Sequence, residues 1–179
     1  MRPLIFLLIL FIVGCRDKRT QSLFSDLIDK ADIEIHLTDY GLQNVPEEIG
    51  KLKNARRLYI SQDSTTEWTL YPPLSAAGEA ELNPPYRKLP TQITTLTKLE
   101  SLTLVGLNLK SLPEGFSQLR NLDTLILYMN KLTISNELYK LKRLKKLKYI
   151  GLQGNLVTAN DLKSLMESIP GIVTNPGLR

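Results

Sequence analysis

The residue types that carry out catalysis are scarce in this sequence of 179 residues. His36 is the only histidine and Cys15 the only cysteine, so a zinc site of His and Cys ligands and a disulfide framework are both excluded. His36, Asp39 and a serine would suit a hydrolytic triad, but no nucleophile-elbow motif accompanies them. The turn that runs from Gly151 to Gly154 lacks the lysine of a phosphate-binding loop. The sequence therefore predicts no enzyme and no cofactor.

Cys15 ends a short apolar segment, which points to modification of its thiol. Arg2 precedes an unbroken apolar run at 4–13 that is too short to span a bilayer and has the form of a secretory signal. Two alternatives are an ordinary signal peptide with an incidental cysteine, and a core strand of the domain.

The segment 12–15, Ile-Val-Gly-Cys, resembles a bacterial lipobox. That resemblance implies cleavage before Cys15, acylation by palmitate or a similar chain, and a protein anchored outside the cytoplasm on the cell membrane or outer membrane. Two or more acyl chains anchor stably, at about 0.8 kcal/mol per buried CH₂. We therefore expect a signal peptide at 1–14 and a polar tether at 15–21.

A leucine pattern with a period of 23 residues organises most of the remaining chain. Its template is L-x-x-L-x-L-x-x-N-x-L-x-x-L-P, and copies begin at Asp32, Ala55, Leu99, Leu122 and Leu147. Alternating apolar residues at template positions 4 and 6 predict one short strand per copy. Parallel strands need crossovers, which the leucine–proline turns supply. Stacked copies then bury their leucines in one continuous core.

Two further segments flank the repeats. Apolar spacing over 22–31 predicts a helix that covers the first repeat, with a helix lying on a membrane as the alternative. The last repeat departs into a predicted short helix capped by Asn160 or Asp161. The repeat domain accordingly spans 32–170, and 171–179 forms a C-terminal tail.

Template position 9 departs from the pattern in three copies. Asn130 and Asn155 occupy it in the last two, whereas Tyr40, Asp63 and Leu107 stand there in the others. Asparagine at this position normally bonds backbone groups of the loop, so we expect an incomplete asparagine ladder.

The copies over 32–170 resemble the leucine-rich repeat family, in particular its shorter bacterial repeats with a leucine–proline step. The resemblance implies an α/β fold, a right-handed solenoid of about five repeats with short parallel strands on its concave face. It also implies that this face binds proteins or other macromolecules, and it implies no catalytic activity.

The second copy, 55–98, is 21 residues longer than a regular repeat, and the excess lies at about 66–86. It holds Trp68, the only tryptophan, and Tyr71, among prolines that keep the backbone from pairing as a central strand. Aromatic residues held in this way suit a binding surface. The alternative is that Trp68 and Tyr71 fold back and cover the edge of the solenoid.

Aromatic and apolar residues are predicted on the concave face at template positions 3, 5, 7 and 8. The candidate partner-binding residues there are Arg57, Tyr59, Ile126, Tyr128, Met129 and Tyr149. All of them except the arginine are predicted to form one stripe, which suits a protein or glycan partner. The alternative is that scattered exposed apolar residues are ordinary.

The segment 138–148 places cations between leucines spaced by three, which predicts leucines inward and cations outward on a convex arc. The candidate anion-binding residues are Lys142, Arg143, Lys145 and Lys146. Each cation adds about 1 kcal/mol of attraction near a charged membrane. The alternative is an ordinary solvated face.

The sequence thus favours a membrane-anchored, monomeric binding module that recognises a protein or glycan partner. The alternative is a structural envelope protein that holds anionic lipid or polysaccharide through the basic arc. An enzyme accessory protein or weak hydrolase is a more distant alternative. Nucleic acid is not expected despite the net charge of +5, because the protein is predicted to be exported and no nucleic-acid module is visible.

Overall fold

The computed structural model describes residues 23–63 and 88–176, which form a mixed α/β fold. Within these ranges a parallel sheet has six strands, and neighbours in the sheet are neighbours in the chain. The strands are β1 (Asp32–His36), β2 (Arg57–Ser61), β3 (Ser101–Val105), β4 (Thr124–Ile126), β5 (Tyr149–Gly151) and β6 (Val173–Asn175). Every connection is therefore a crossover, as the leucine period predicts.

One face of the sheet is buried and the other is exposed to solvent. In β3, Leu102 and Leu104 are buried whereas Ser101, Thr103 and Val105 are only partly covered. β1, β2 and β4 show the same alternation, except that Ser61 at the end of β2 is also buried, because side chains have a two-residue period along a strand. We name the solvent side the open face. The buried side belongs to one hydrophobic core that extends through the whole stack.

The chain returns across the back of the sheet in short turns. Pro46 and Pro90 precede two of them, because the fixed φ of proline suits the entry to a helical turn. These 3₁₀ turns are Glu47–Lys51, Thr91–Thr95 and Phe116–Gln118. The fourth repeat lacks the proline, and an α-helix, α1 (Ile134–Leu141), takes the place of the turn.

The predicted register of the first repeat is wrong by two residues. Ile33, rather than Ile35, pairs with Leu58, so the repeat begins two residues before Asp32. Leu37 continues the same alternation, and three alternating apolar residues fit the template in two registers. A shift of two residues keeps every side chain on its face, so the core is unchanged.

The described part of 22–31 covers the first repeat but does not form the predicted helix. Residues 23–29 form turns, in which the Leu27 N–H donates to the Phe24 carbonyl at 2.9 Å. Phe24 has a φ of 65°, a left-handed conformation that a regular helix excludes. Its buried ring packs edge-on against Tyr40, with centroids 5.1 Å apart.

The C-terminal end differs from its prediction in two details. The helix α2 (Ala159–Ser168) begins after Thr158, which is the N-cap instead of Asn160 or Asp161. The Thr158 N–H donates to the Asp161 carboxylate at 2.9 Å and the Asp161 N–H donates to Thr158 Oγ1 at 3.1 Å, which is a capping box. The segment 171–179, predicted as a tail, contains β6, so the sheet extends one strand further.

Three predicted segments lie outside the described residues: the signal peptide 1–14, the tether 15–21 with Cys15, and the insertion 66–86 with Trp68 and Tyr71. Among the residues that are described, no helix combines the length and the apolar character needed to cross a bilayer.

Candidate binding face

The N-terminal half of the open face, on β1 and β2, carries charged side chains and a histidine, which contact one another. Arg57 Nη2 lies 2.6 Å from Asp32 Oδ2 on the neighbouring strand. His36 Nε2 lies 3.1 Å from Glu34 Oε1. A shallow depression of ≈ 370 Å³ lies here, with both Arg57 and Tyr59 in its lining. We name this region the charged half.

His36 also contacts Ser61, at distances that resemble a Ser–His–carboxylate triad. Its Nδ1 lies 2.6 Å from Ser61 Oγ. In hydrolytic triads the serine faces Nε2 and the carboxylate faces Nδ1, and the two partners are exchanged here. Ser61 is only 4% exposed, and its hydroxyl donates to the Asp63 carbonyl at 2.8 Å. The serine therefore joins two strand ends and is not presented as a nucleophile.

The C-terminal half of the open face, on β4 to β6, displays no charged side chain among the residues that the structure describes. Backbone pairing between these two chain segments continues past the ends of β4 and β5, where the Met129 N–H donates to the Gln153 carbonyl at 2.7 Å. We name the open-face residues of this half the neutral patch: Thr124, Ile126, Tyr128, Tyr149, Gly151, Gln153, Val173 and Asn175. Gln153 Nε2 donates to Asn175 Oδ1 at 3.2 Å, so uncharged amides accompany the tyrosines.

Two tyrosines of the neutral patch form one unit. Tyr128 lies over Gly151 so closely that a Cβ at residue 151 would stand 2.5 Å from its Cε1. Its hydroxyl oxygen lies 3.3 Å from that of Tyr149. This hydrogen bond, together with partial burial, raises the pKa of Tyr128 above its ordinary value of 10.0, so the phenol stays neutral. Gly151 was not predicted as a site residue, although a glycine inside a strand often marks such a close approach.

Apolar side chains lie within the neutral patch and at its rim. Met129 is 58% exposed and Val173 is 60% exposed, whereas Ile126 is half-buried. Met129 has a φ of 55°, and its Cα would lie 3.0 Å from a Cβ at Gly154, so the turn fits only a glycine there. The backbone therefore holds the methionine in a fixed, exposed position.

Tyr59 does not lie in the predicted stripe. It pairs across the sheet with Thr103, which in turn pairs with Ile126, so a polar residue separates the two. Its ring packs edge-on against His36, with centroids 5.8 Å apart, in the charged half. The predicted residues that the structure does bring together are Ile126, Tyr128, Met129 and Tyr149.

Two asparagines hold the loops that follow the strands of the C-terminal half. Asn130 is completely buried; its Oδ1 accepts from the Leu109 N–H at 3.1 Å, and its Nδ2 donates to three backbone carbonyls. Asn155 makes the equivalent bonds one repeat later. In the first repeat the corrected register places Thr38, and not Tyr40, at this position. Because asparagine recurs only in these last repeats, only they carry this internal support.

Lys140 is buried, although the spacing of 138–148 predicts that its cations point outward. Its Nζ lies 3.0 Å from Glu137 Oε2, 2.5 Å from the Leu112 carbonyl and 3.3 Å from Glu114. The Leu112 N–H donates to Glu137 at 3.1 Å, so the ion pair satisfies both backbone groups of a buried turn. Burial alone lowers the pKa of Lys140, but the bond to Glu137 and its charge outweigh burial and raise the pKa above its ordinary value.

The four predicted anion-binding residues are exposed: Lys142, Arg143, Lys145 and Lys146. Lys146 Nζ donates to Asn121 Oδ1 at 2.8 Å, and none of the four forms a salt bridge with another described residue. A depression of ≈ 460 Å³ adjoins Lys145 and Lys146. Glu100 and Asp123 also line this depression, so its charge is mixed. Within 23–63 and 88–176, no three His, Cys, Asp or Glu side chains are placed to hold a metal ion.

The parallel strands in chain order, the recurring leucines and the open face define a leucine-rich-repeat-like solenoid. Among solved structures, the chain is similar to a leucine-rich repeat protein of Leptospira interrogans, with 18% sequence identity and a TM-score of 0.41. The match covers 75% of this chain and 34% of that chain, so this chain spans about a third of that protein's length. No protein-family model and no curated protein matches the sequence.

Proposed function

We propose that this chain is a non-catalytic, monomeric binding module whose neutral patch recognises a protein or glycan partner without a cofactor. The observation that carries this proposal is the hydrogen-bonded pair of Tyr128 and Tyr149 beside exposed Met129, on a patch without charge. Aromatic side chains and methionine are enriched in the buried centres of interfaces, where charged residues are depleted. Stacked repeats suit this role because they supply an extended rigid surface.

The charged half is the less suitable surface for such a partner. A partner that covered this region would have to remove water from the Arg57–Asp32 ion pair, whose charges already satisfy each other, and from the exposed carboxylate of Glu34. We therefore assign the centre of the contact to the neutral patch and place Arg57 and Tyr59 outside it.

The test is capture of a partner from envelope extract by the full-length protein in detergent. Changing Ile126 and Tyr128 to Ala should reduce capture of a specific component about tenfold or more, because it removes the apolar centre. Tyr59→Ala removes a tyrosine from the same face outside the patch and is the matched control. Capture that survives the double substitution, or that is lost equally in the control, would contradict the proposal.

We also propose that Cys15 carries the lipid that anchors this module outside the cytoplasm, on the bacterial cell membrane or outer membrane. The support is the lipobox-like segment 12–15 at the end of the apolar run. The wild-type protein should incorporate labelled palmitate, and Cys15→Ala should not. Label retained on the Cys15→Ala protein would reject the anchor.

A second function, binding of anionic lipid or polysaccharide by the basic arc, is favoured by the exposure of Lys142, Arg143 and Lys145 without salt-bridge partners in the described chain. Changing these three and Lys146 to Gln should weaken binding to phosphatidylglycerol vesicles or to dextran sulfate. The wild-type binding should fall steeply with salt, because exposed charges are screened. Binding that is unchanged by the substitutions would reject the arc.

A further inference from the structure

Each turn that leads into β2, β3, β4 or β5 carries at least one exposed cation one or two residues before its last buried apolar residue. We name this line the edge row: Lys53, Lys98, Arg120, Lys145 and Lys146. Only the last two belong to the basic arc that the sequence indicates. The other three lie in separate repeats, and the solenoid brings them to the same edge of the sheet.

Backbone hydrogen bonds stack these turns in register. The Glu100 N–H donates to the Arg56 carbonyl at 2.8 Å, the Asp123 N–H to the Glu100 carbonyl at 2.9 Å, and the Lys148 N–H to the Asp123 carbonyl at 2.8 Å. Because neighbouring strands lie about 4.8 Å apart, the four turns form a line roughly 14 Å long. Each turn therefore contributes at least one cation in one of two adjacent columns, with Lys53, Arg120 and Lys145 in the first and Lys98 and Lys146 in the second.

Neutral partners orient several of these cations without cancelling their charge. Lys98 Nζ donates to Asn54 Oδ1 at 2.9 Å, and Lys146 Nζ makes the equivalent bond to Asn121 at 2.8 Å two turns later. Lys53 Nζ donates to Thr95 Oγ1 at 2.5 Å. The edge row is thus a set of positioned positive charges.

The neighbouring row, one step nearer the strands, has no net charge. It consists of Arg56, Glu100, Asp123 and Lys148, and Arg56 Nη1 lies 2.7 Å from Glu100 Oε1. A flat anionic membrane would meet both rows across their full width, whereas a linear polymer can follow the edge row with the Glu100 and Asp123 carboxylates only along one side of it. The ends of these turns, at 53–54, 97–98, 120–121 and 145–146, contain no aromatic residue on which nucleic-acid bases would stack, and Phe116 of the third turn is buried.

We infer that the edge row binds a linear acidic polysaccharide, whose sulfate, phosphate or carboxylate groups follow the cations from turn to turn. This inference rests on the second function and extends it from the basic arc to three further repeats. The bound polymer crosses the strands at their N-terminal ends and leaves the neutral patch open to a separate partner.

The experiment compares three variants of the full-length protein by titration with dextran sulfate. The row variant changes Lys53, Lys98 and Arg120 to Gln, and the arc variant changes Lys142 and Arg143 to Gln. The matched control changes three exposed lysines elsewhere to Gln, and these are Lys88, Lys131 and Lys163. All of these side chains are exposed, and equal melting temperatures will show that each variant is folded.

The row variant should bind dextran sulfate about tenfold or more weakly, and its log–log salt slope should fall by roughly two to three. The control, which removes the same charge, should change much less. Equal losses in both would overturn the inference, as would wild-type binding to oligothymidylate or anionic vesicles but not to dextran sulfate. If only the arc variant loses binding, the second function stands without the edge row. Wild-type binding to neither polymer nor vesicles would reject both.

Discussion

The two halves of this solenoid differ in where their ion pairs lie relative to the sheet. In the charged half, ion pairs such as Arg57–Asp32 lie on the open face, and the neighbouring core is almost entirely apolar. In the C-terminal half the open face is neutral, whereas Asn130, Glu137 and Lys140 lie buried behind it. The same repeat pattern therefore supports two different distributions of charge.

This difference shows how a regular scaffold acquires a specialised surface. A neutral, partly apolar face is a suitable binding surface because covering it removes no ion from water. The loops of that half still contain backbone groups that need partners, and buried amide and charged side chains supply them from behind. The loops behind the face are then supported without any charged side chain on the face itself.

The largest expected effect comes from the buried ion pair. Lys140→Met should lower the free energy of unfolding by about 4 kcal/mol, because it leaves the carboxylate of Glu137 buried without its partner. Lys142→Met, at an exposed position two residues away, should change stability by less than about 0.5 kcal/mol. Denaturant unfolding followed by circular dichroism measures both. Similar small effects in the two variants would show that the C-terminal half does not depend on its buried charges.

Asn130→Ala should have the next largest effect and lower the free energy of unfolding by about 3 kcal/mol. The substitution leaves the buried Leu109 N–H and several carbonyls without partners. Thr38→Ala, at the equivalent position of the first repeat, should cost less than about 0.5 kcal/mol because Thr38 is exposed. Equal losses of unfolding free energy at the two positions would remove the contrast between the halves.

Asp161→Asn tests the capping box of α2 and should lower the free energy of unfolding by about 1 kcal/mol at pH 7. Burial alone raises the pKa of Asp161, but hydrogen bonds from Thr158 and Ser135 outweigh it and hold the pKa below 3.8. The ionised carboxylate therefore stabilises the fold above pH 3.8, and this contribution is lost as the pH falls through the lower, folded-state pKa. The difference in the free energy of unfolding between wild type and variant should therefore shrink in acid. Asp29→Asn, at an exposed position, is the control. A difference that persists unchanged in strong acid would argue against the cap.

The smallest effect on stability is expected for Gly151→Ala, within about 1 kcal/mol. The new methyl group displaces the ring of Tyr128, so the hydrogen bond to Tyr149 is lost and the pKa of Tyr128 falls toward 10.0. Tyr149→Phe removes the same bond without filling the space and should shift the pKa in the same direction. Ultraviolet titration of tyrosine measures both. A Tyr128 pKa that neither substitution changes would mean that the two tyrosines are not a unit.

Local spacing predicted the strands well, but it did not distinguish between equivalent placements. The leucine pattern indicates β1 to β5 and their buried side chains, because the two-residue alternation is a property of the local sequence. It missed the register of β1, since Ile33, Ile35 and Leu37 fit two placements equally. It also missed β6, which is a short segment that pairs only because β5 offers a free edge.

The candidate site was predicted in part. The partner-binding set contained Tyr128 and Tyr149 but also Tyr59, because template positions give the face of a residue and not its neighbours across strands. Lys140 was expected on the surface because the cations of its segment alternate with leucines. The burial of Lys140 is favourable only because the preceding turn approaches it and the backbone groups of Leu112 find their partners in Glu137 and Lys140.

The sequence by itself determined the repeat, the parallel crossover topology and the alternation of buried and open residues, since each depends on periods within a single repeat. The tertiary structure alone decided which distant side chains share a surface. Tyr128 meets Tyr149 across Gly151, and Arg120 lines up with Lys145, because stacking sets residues of successive repeats about 4.8 Å apart. Such contacts depend on register between repeats, and no pattern within one repeat contains that information.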